Sequence, residues 1–193
     1  MQETILLRLQ GNVNMNEHNQ ELITDYFSKH WVPGKGRGPT SHPVIADKIK
    51  DDEWILDAGC GDNPFKALGK QVVGVDPAFE EADVKCTIEE YVPDRQFDVA
   101  TCLGSINFGT DEVIARQIAK VVSCLKPNSR IYWRLNPGRH DHDNTECADI
   151  PFYPWTFEKL REYAKLHNYI QTIEEIDEHP TRPRLYAEWH RAT

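Results

Sequence analysis

Residues 54–61, Trp-Ile-Leu-Asp-Ala-Gly-Cys-Gly, join a short apolar run directly to two glycines one residue apart. A short run without polar alternation reads as a strand covered on both faces, the habit of parallel sheets. Glycines placed immediately after it let the backbone turn sharply and keep side chains away from any ligand approaching the turn. Parallel strands need long crossover connections, usually helical, so this one segment already points to an α/β architecture.

The rest of the chain follows the same alternation. Apolar runs at 71–75, 84–88, 97–103, 130–135, 169–176 and 185–189 are the further expected strands. Between them lie helical spacings. Asn63-Pro64 opens a short helix reaching about Gly69. Thr110 caps one from Asp111 to Leu125, with Ile114, Ile118, Val121, Val122 and Leu125 on one face. Pro127-Asn128 is expected as a turn, and Thr156 starts a helix running to about His167. Ahead of the first strand, Leu22, Ile23, Tyr26, Phe27 and Trp31 mark an amphipathic helix, and Ser41, Pro43, Ile45 and Ile49 mark a second, shorter one. Only a short loop containing His179-Pro-Thr-Arg-Pro183 separates the last two strands. No crossover fits there, so those two must pair antiparallel. The expectation is an open, mostly parallel seven-stranded sheet with helices on both faces and an antiparallel C-terminal strand. One compact unit spans residues 40–193, preceded by a helical, lid-like segment at 1–39.

Lys and Arg number 22 against 31 Asp and Glu, a net charge of −9. Such a chain has no global attraction for phosphate, which argues against nucleic acid and anionic membranes as partners. No run is long and apolar enough for a membrane helix. The five cysteines are scattered without a Cys-x-x-Cys pair, and three of them fall in apolar runs as small core residues. A reducing, cytoplasmic setting fits.

In open α/β sheets ligands bind beyond the carboxyl ends of the strands. Here that place reads Asp57-Ala-Gly59-Cys60-Gly61-Asp62-Asn63-Pro64. A dinucleotide fingerprint would carry a third glycine where Pro64 stands, and Asp57 and Asp62 would repel a pyrophosphate. S-adenosylmethionine fits the charge better, since it has no phosphate and carries a sulfonium and an ammonium group. Asp76 ends the next strand, followed by Pro77, and an acid there can accept both ribose hydroxyl protons.

Residues 54–77 resemble the first motif and following acid of class I S-adenosylmethionine-dependent methyltransferases. Phe97-Asp-Val-Ala-Thr-Cys-Leu103-Gly-Ser is similar to the family's fourth-strand motif. Leu125-Lys-Pro-Asn-Ser-Arg-Ile131 is similar to its turn before the fifth strand, with Asn128-Ser129 in place of glycines. Phe157–Tyr169 resembles its helix before the sixth strand. The resemblance covers about residues 40–190, in order, and implies a Rossmann-like sheet and methyl transfer from S-adenosylmethionine. It implies that Asp57, Gly59, Cys60 and Gly61 frame the methionine part of the cofactor, that Asp76 and Pro77 adjoin the ribose, and that Leu103 lies beside the cofactor. Thr87 and Ile88 fall where the family usually places a polar contact to adenine. No Asp stands there, so that contact rests on backbone groups.

The chain lacks the acid-or-Asn, Pro, Pro, aromatic motif of DNA amino-methyltransferases after the fourth strand, and no Pro-Cys occurs. A small-molecule or protein side-chain acceptor is therefore expected over nucleic acid. No catalytic residue and no metal site is assigned. His140-Asp-His-Asp143, with Glu146 and Cys147, reads as a substrate-covering loop, as a metal ligand set or as the source of a general base. Gly34-Lys35-Gly-Arg37-Gly38 reads as a hinged lid or a linker. Tyr153 and Trp155 read either as pocket lining or as packing. The alternative to an enzyme is a non-catalytic binding or structural protein on the same scaffold.

Overall fold

The computed structural model describes residues 19–30, 41–137, 149–177 and 183–192. Helix α1 occupies 19–29. It is followed by α2 (Ser41–Ala46), β1 (Trp54–Ala58), α3 (Pro64–Ala67), β2 (Gln71–Val75), β3 (Phe97–Leu103), α4 (Asp111–Ser123), β4 (Leu125–Leu135), α5 (Phe157–Leu166), β5 (Tyr169–Asp177) and β6 (Arg184–Arg191). The strands form one sheet in the order β2-β1-β3-β4-β6-β5. The first four are parallel, and β6 runs antiparallel to both β4 and β5.

Pleating sends alternate strand residues to opposite faces. On one face Leu56, Ala58, Ala100, Cys102, Ile131 and Trp133 pack against Ile114, Ile118 and Val121 of α4 and Leu160 and Ala164 of α5. On the other, Ile55, Val99, Tyr132 and Tyr186 pack against Ile45, Ala46 and Ile49 from α2 and its C-terminal turn, and against Phe65 of α3. Thr156 caps α5, its side chain accepting from the Lys159 amide at 3.1 Å. Tyr26, only 3% exposed, seats α1 on Phe108 and Ile150, with Phe27 and Phe152 alongside. No helix among the described residues is long and apolar enough to cross a membrane.

The sheet has six strands among the described residues, not seven. The expected strand at Val84–Ile88 is reduced to a single parallel bridge, Val75↔Val84. The Val84 amide donates to Gly74 O at 3.0 Å and the Asp76 amide donates to Val84 O at 3.2 Å, and there the ladder stops. The reason is that β2 ends at Val75: the next donor on that edge, the Ala78 amide, turns back to Asp76 Oδ1 at 2.8 Å, and the Cys86 amide folds back onto Val84 O at 3.2 Å. On the other side of the bridge Asp83 Oδ2 accepts the Gly74 amide at 2.9 Å, so a side chain takes the donor that would pair ahead of Val84. Asn63 Nδ2 reaches the same oxygen at 3.0 Å, and Lys66 pairs with Oδ1. A second difference lies at β4. It starts at Leu125 rather than Arg130, because Leu125 already pairs with Phe97 and the Pro127-Asn128 stretch is absorbed as an irregularity in register.

Burial pushes the Asp83 carboxyl up, but the Gly74 amide, Lys66 and Asn63 outweigh it and hold the group below the ordinary carboxylate range. Asp83→Ala is expected to cost about 2 kcal/mol, since hydrogen bonds to charged groups contribute roughly 1.5–3 kcal/mol each before solvent exposure reduces them. The wild-type advantage should be present at neutral pH and fade as acid protonates the carboxylate. Urea melts of both proteins at pH 7 and pH 3 check this, and an equal difference at the two pH values would contradict it.

Candidate functional site

The carboxyl ends of β1, β2 and β3 meet at one rim. Val75 O accepts the amides of Gly59 at 2.7 Å and Cys60 at 3.3 Å, pinning the turn after β1 onto the end of β2. Gly59 and Gly61 have φ of +72° and +56°, and Asn63 follows with φ +53°. Three left-handed residues within five let the chain double back before Pro64 opens α3. Ser105, two residues beyond β3, donates its hydroxyl to Ala58 O and fills the space where a Gly59 side chain would stand. A Cβ on Gly74 would lie 2.7 Å from Cys60 Sγ and 2.8 Å from Asn63 Nδ2, so the missing side chain makes room for the loop.

Two carboxylates flank this turn. Asp57 is only 2% exposed. Thr101 donates to its Oδ1 at 2.7 Å, while its Oδ2 is buried with no hydrogen-bond partner. Burial raises its pKa first, the Thr101 hydrogen bond opposes that, and Asp76 and Asp62 add repulsion, leaving it at about 7 against an ordinary 3.8. Asp76 Oδ2 accepts the Gly61 amide at 3.0 Å, and its Oδ1 accepts the amides of Ala78 at 2.8 Å and Phe79 at 3.3 Å. Asp76 therefore ties the glycine turn to the turn after β2, and a carboxylate's roughly four acceptor positions leave room for one more donor.

The structure thus brings Asp57, Gly59, Cys60, Gly61 and Asp76 together. Pro77 adjoins them, half-buried. Leu103 ends β3, two residues past Thr101, and packs on the α2 side of the sheet. Thr87 and Ile88 sit in a turn of their own. The Thr87 amide and hydroxyl both donate to Glu90 Oε2, at 3.0 and 2.8 Å, and Ile88 packs on the α4 side. Burial, then Asp57, Asp76 and Asp83, push the Cys60 thiol well up, which keeps it protonated and unreactive. Tyr153 and Trp155 prove to be packing. Their rings meet edge-on at 4.8 Å, and the Trp155 indole donates to Ile106 O at 2.7 Å. The expected lid at 34–38, the cluster at 140–147 and Trp31 lie outside the described residues.

Thr101, Ser105 and Asn63 were not among the expected site residues. Thr101 could have been noticed as the polar residue inside an apolar strand. Ser105 and Asn63 carry no such local signal, because their roles come from partners 47 and 20 residues away.

An orphaned carboxylate oxygen beside a second acid is a poor place for pyrophosphate and a good one for a cation. The residues present therefore fit S-adenosylmethionine. No family model matches the chain. A ubiquinone biosynthesis O-methyltransferase from Rhodopseudomonas palustris is 30% identical over an alignment of 93 residues that covers 38% of this chain and 36% of that protein. The match thus spans little more than a third of the curated relative. A Burkholderia thailandensis 1,6-didemethyltoxoflavin-N1-methyltransferase, solved with bound 1,6-didemethyltoxoflavin and S-adenosylhomocysteine, superposes with a TM-score of 0.71 at 16% identity, covering 94% of this chain and 90% of that one. The magnesium protoporphyrin IX methyltransferase of Synechocystis PCC 6803, solved with S-adenosylmethionine, gives 0.70 at 14% identity, covering 90% and 97%. Strand order, glycine turn and structural likeness agree: the chain has the class I S-adenosylmethionine-dependent methyltransferase fold.

Proposed function

We propose that this protein binds S-adenosylmethionine at the rim of β1 and β2 and transfers its methyl group to a small-molecule acceptor. The observation that supports this most is Asp57 Oδ2, a buried carboxylate oxygen without a partner at the end of β1. An unsatisfied anion costs folding free energy, and a cationic ligand would recover it. The sulfonium, when bound, supplies an already activated methyl group.

The chain's own residues then have three tasks. The turn through Gly59 and Gly61 receives the amino-acid part, with Asp57 beside it. Asp76, fixed by three backbone amides, offers its remaining acceptor position to a ribose hydroxyl. The aromatic contact of α1 with Phe108 and Phe152 covers part of the rim beyond β3 and excludes water there. Methyl transfer from a sulfonium needs alignment above all, and a general base only where the acceptor is protonated.

Calorimetric titration with S-adenosylmethionine, with NAD as control, tests the reading. Saturable binding is expected for the cofactor and none for NAD. Asp76→Ala is expected to weaken binding at least tenfold while the protein stays folded. A well-folded wild type that takes up no S-adenosylmethionine would overturn the proposal in favour of a scaffold without turnover.

A further inference from the structure

Arg134 stands next to the last residue of β4, on the sheet face that carries Asp57. The pairings show this. Asp57 pairs with Thr101, Thr101 with Tyr132, and Arg134 lies two residues beyond Tyr132, opposite Leu103. At about 4.8 Å per strand, Arg134 is roughly 10 Å across the sheet from Asp57, and one pleat repeat further toward the rim. Its Nε donates to Asp177 Oδ2 at 2.6 Å, and Ser41 at the start of α2 donates to the same oxygen at 3.3 Å. That anchor uses one of five N–H donors. Among the described residues the two terminal nitrogens of Arg134 make no hydrogen bond, and the side chain is 26% exposed.

A second guanidinium sits beside it. Arg184 pairs with Asp177, and Tyr186, two residues on, pairs with Arg134, so both arginines project from the same face. Burial, then the charge of Arg134, lower the Arg184 pKa to about 10. Asp177, bonded to Arg134 Nε and opposite Arg184, offsets part of this repulsion, and an anion at the terminal nitrogens of Arg134 would offset more. The surrounding chain is net acidic, so general basicity does not account for the pair.

We propose that Arg134, flanked by Arg184, is a subsite for an anionic group, carboxylate or phosphate, on the methyl acceptor. This inference rests on the methyl-transfer reading for the word acceptor. The anion site itself stands on the two arginines. A guanidinium held at Nε presents its terminal N–H groups as a fork matched to two oxygens. The acceptor's reactive atom would then lie near the glycine turn while its acidic end lies at β4.

The test uses the protein saturated with S-adenosylhomocysteine and three probes: benzoate, phenyl phosphate and benzamide. At least one anion is expected to bind in the millimolar range and at least tenfold more tightly than the amide, and the stronger anion identifies the group. Arg134→Gln should weaken anion binding tenfold or more. Arg184→Gln should do so by severalfold. Arg134→Lys, which keeps the charge facing Asp177 but lacks the fork, should fall between wild type and Arg134→Gln. S-adenosylhomocysteine affinity should stay within twofold throughout, which also shows that the variants are folded. Equal binding of acid and amide, no anion binding, or full retention in both glutamine variants would overturn the subsite. Failure of wild type to bind S-adenosylhomocysteine would instead overturn the methyl-transfer reading, and the same titrations on the cofactor-free protein would still decide the anion site.

Discussion

Gly59→Ala is expected to remove about 3 kcal/mol of stability and to abolish cofactor binding. Two separate costs add. At φ +72° a side chain is disfavoured by roughly 1–2 kcal/mol. The new methyl group also overlaps the Ser105 Cβ, and overpacking of this kind costs about 1–3 kcal/mol. Ser105 cannot swing away without breaking its bond to Ala58 O. For a chain of this length the combined loss is a fall in Tm of roughly 6–12 °C. Any relaxation of the turn also displaces the Gly61 amide from Asp76, so cofactor affinity goes with stability. A Ser105→Gly substitution in the Gly59→Ala background should recover the overlap but not the backbone cost. Thermal and urea melts of the single and double variants resolve the two parts. A Gly59→Ala protein that melts within 2 °C of wild type would show that the turn has slack the geometry does not suggest.

On the proposed reading, Asp57 would make binding of S-adenosylmethionine proton-linked. Its folded-state pKa of about 7 lies above the ordinary 3.8, so protonation favours the folded, free protein. The contribution of this group to stability is greatest in acid and is lost as pH rises from about 4 to about 7. A bound cation reverses the preference by holding the carboxylate ionised. Cofactor affinity should therefore weaken about 50-fold between pH 7 and pH 5, as one proton competes for the site. Asp57→Asn should flatten that dependence and weaken binding at pH 7 at least tenfold. It should also stabilise the free protein at pH 8 by about 2–4 kcal/mol, with little effect at pH 4. Calorimetry across pH, paired with melts of the free proteins, measures both. An unchanged pH dependence in Asp57→Asn would place the linkage on another group.

The sheet was readable because its strands are short apolar runs ended by punctuation. Trp54–Ala58, Gln71–Val75 and Phe97–Leu103 lie where the runs lie. The misread strand at 84–88 has the same apolar character. What stops it is the turn after β2, where the Ala78 amide bonds to Asp76 Oδ1 instead of a strand neighbour, a contact no periodicity records. The glycine turn and its two acids were legible for a related reason, since their chemistry is local to one turn and the next strand end. Thr101 and Ser105 were not, because strand order alone brings them to that turn. Leu103 and Thr87 illustrate the opposite limit: a position carried over from a motif says where the chain passes, but not which way its side chain is engaged.

Strand order also has a consequence for synthesis. The strand that covers the β4 edge is β6, which lies between β4 and β5 although it is made after both. From the completion of Leu135 to that of Arg191 the ribosome adds 56 residues, roughly 3–11 s at ordinary elongation rates. Throughout that interval the nascent chain carries an uncapped hydrophobic margin ending in Ile131, Trp133 and Leu135, and β5 has nothing to zip onto. Such a chain should lean on holding chaperones while it is being made, and ribosomes stalled between the codons for Leu135 and Arg191 should release species that aggregate rather than partly active protein.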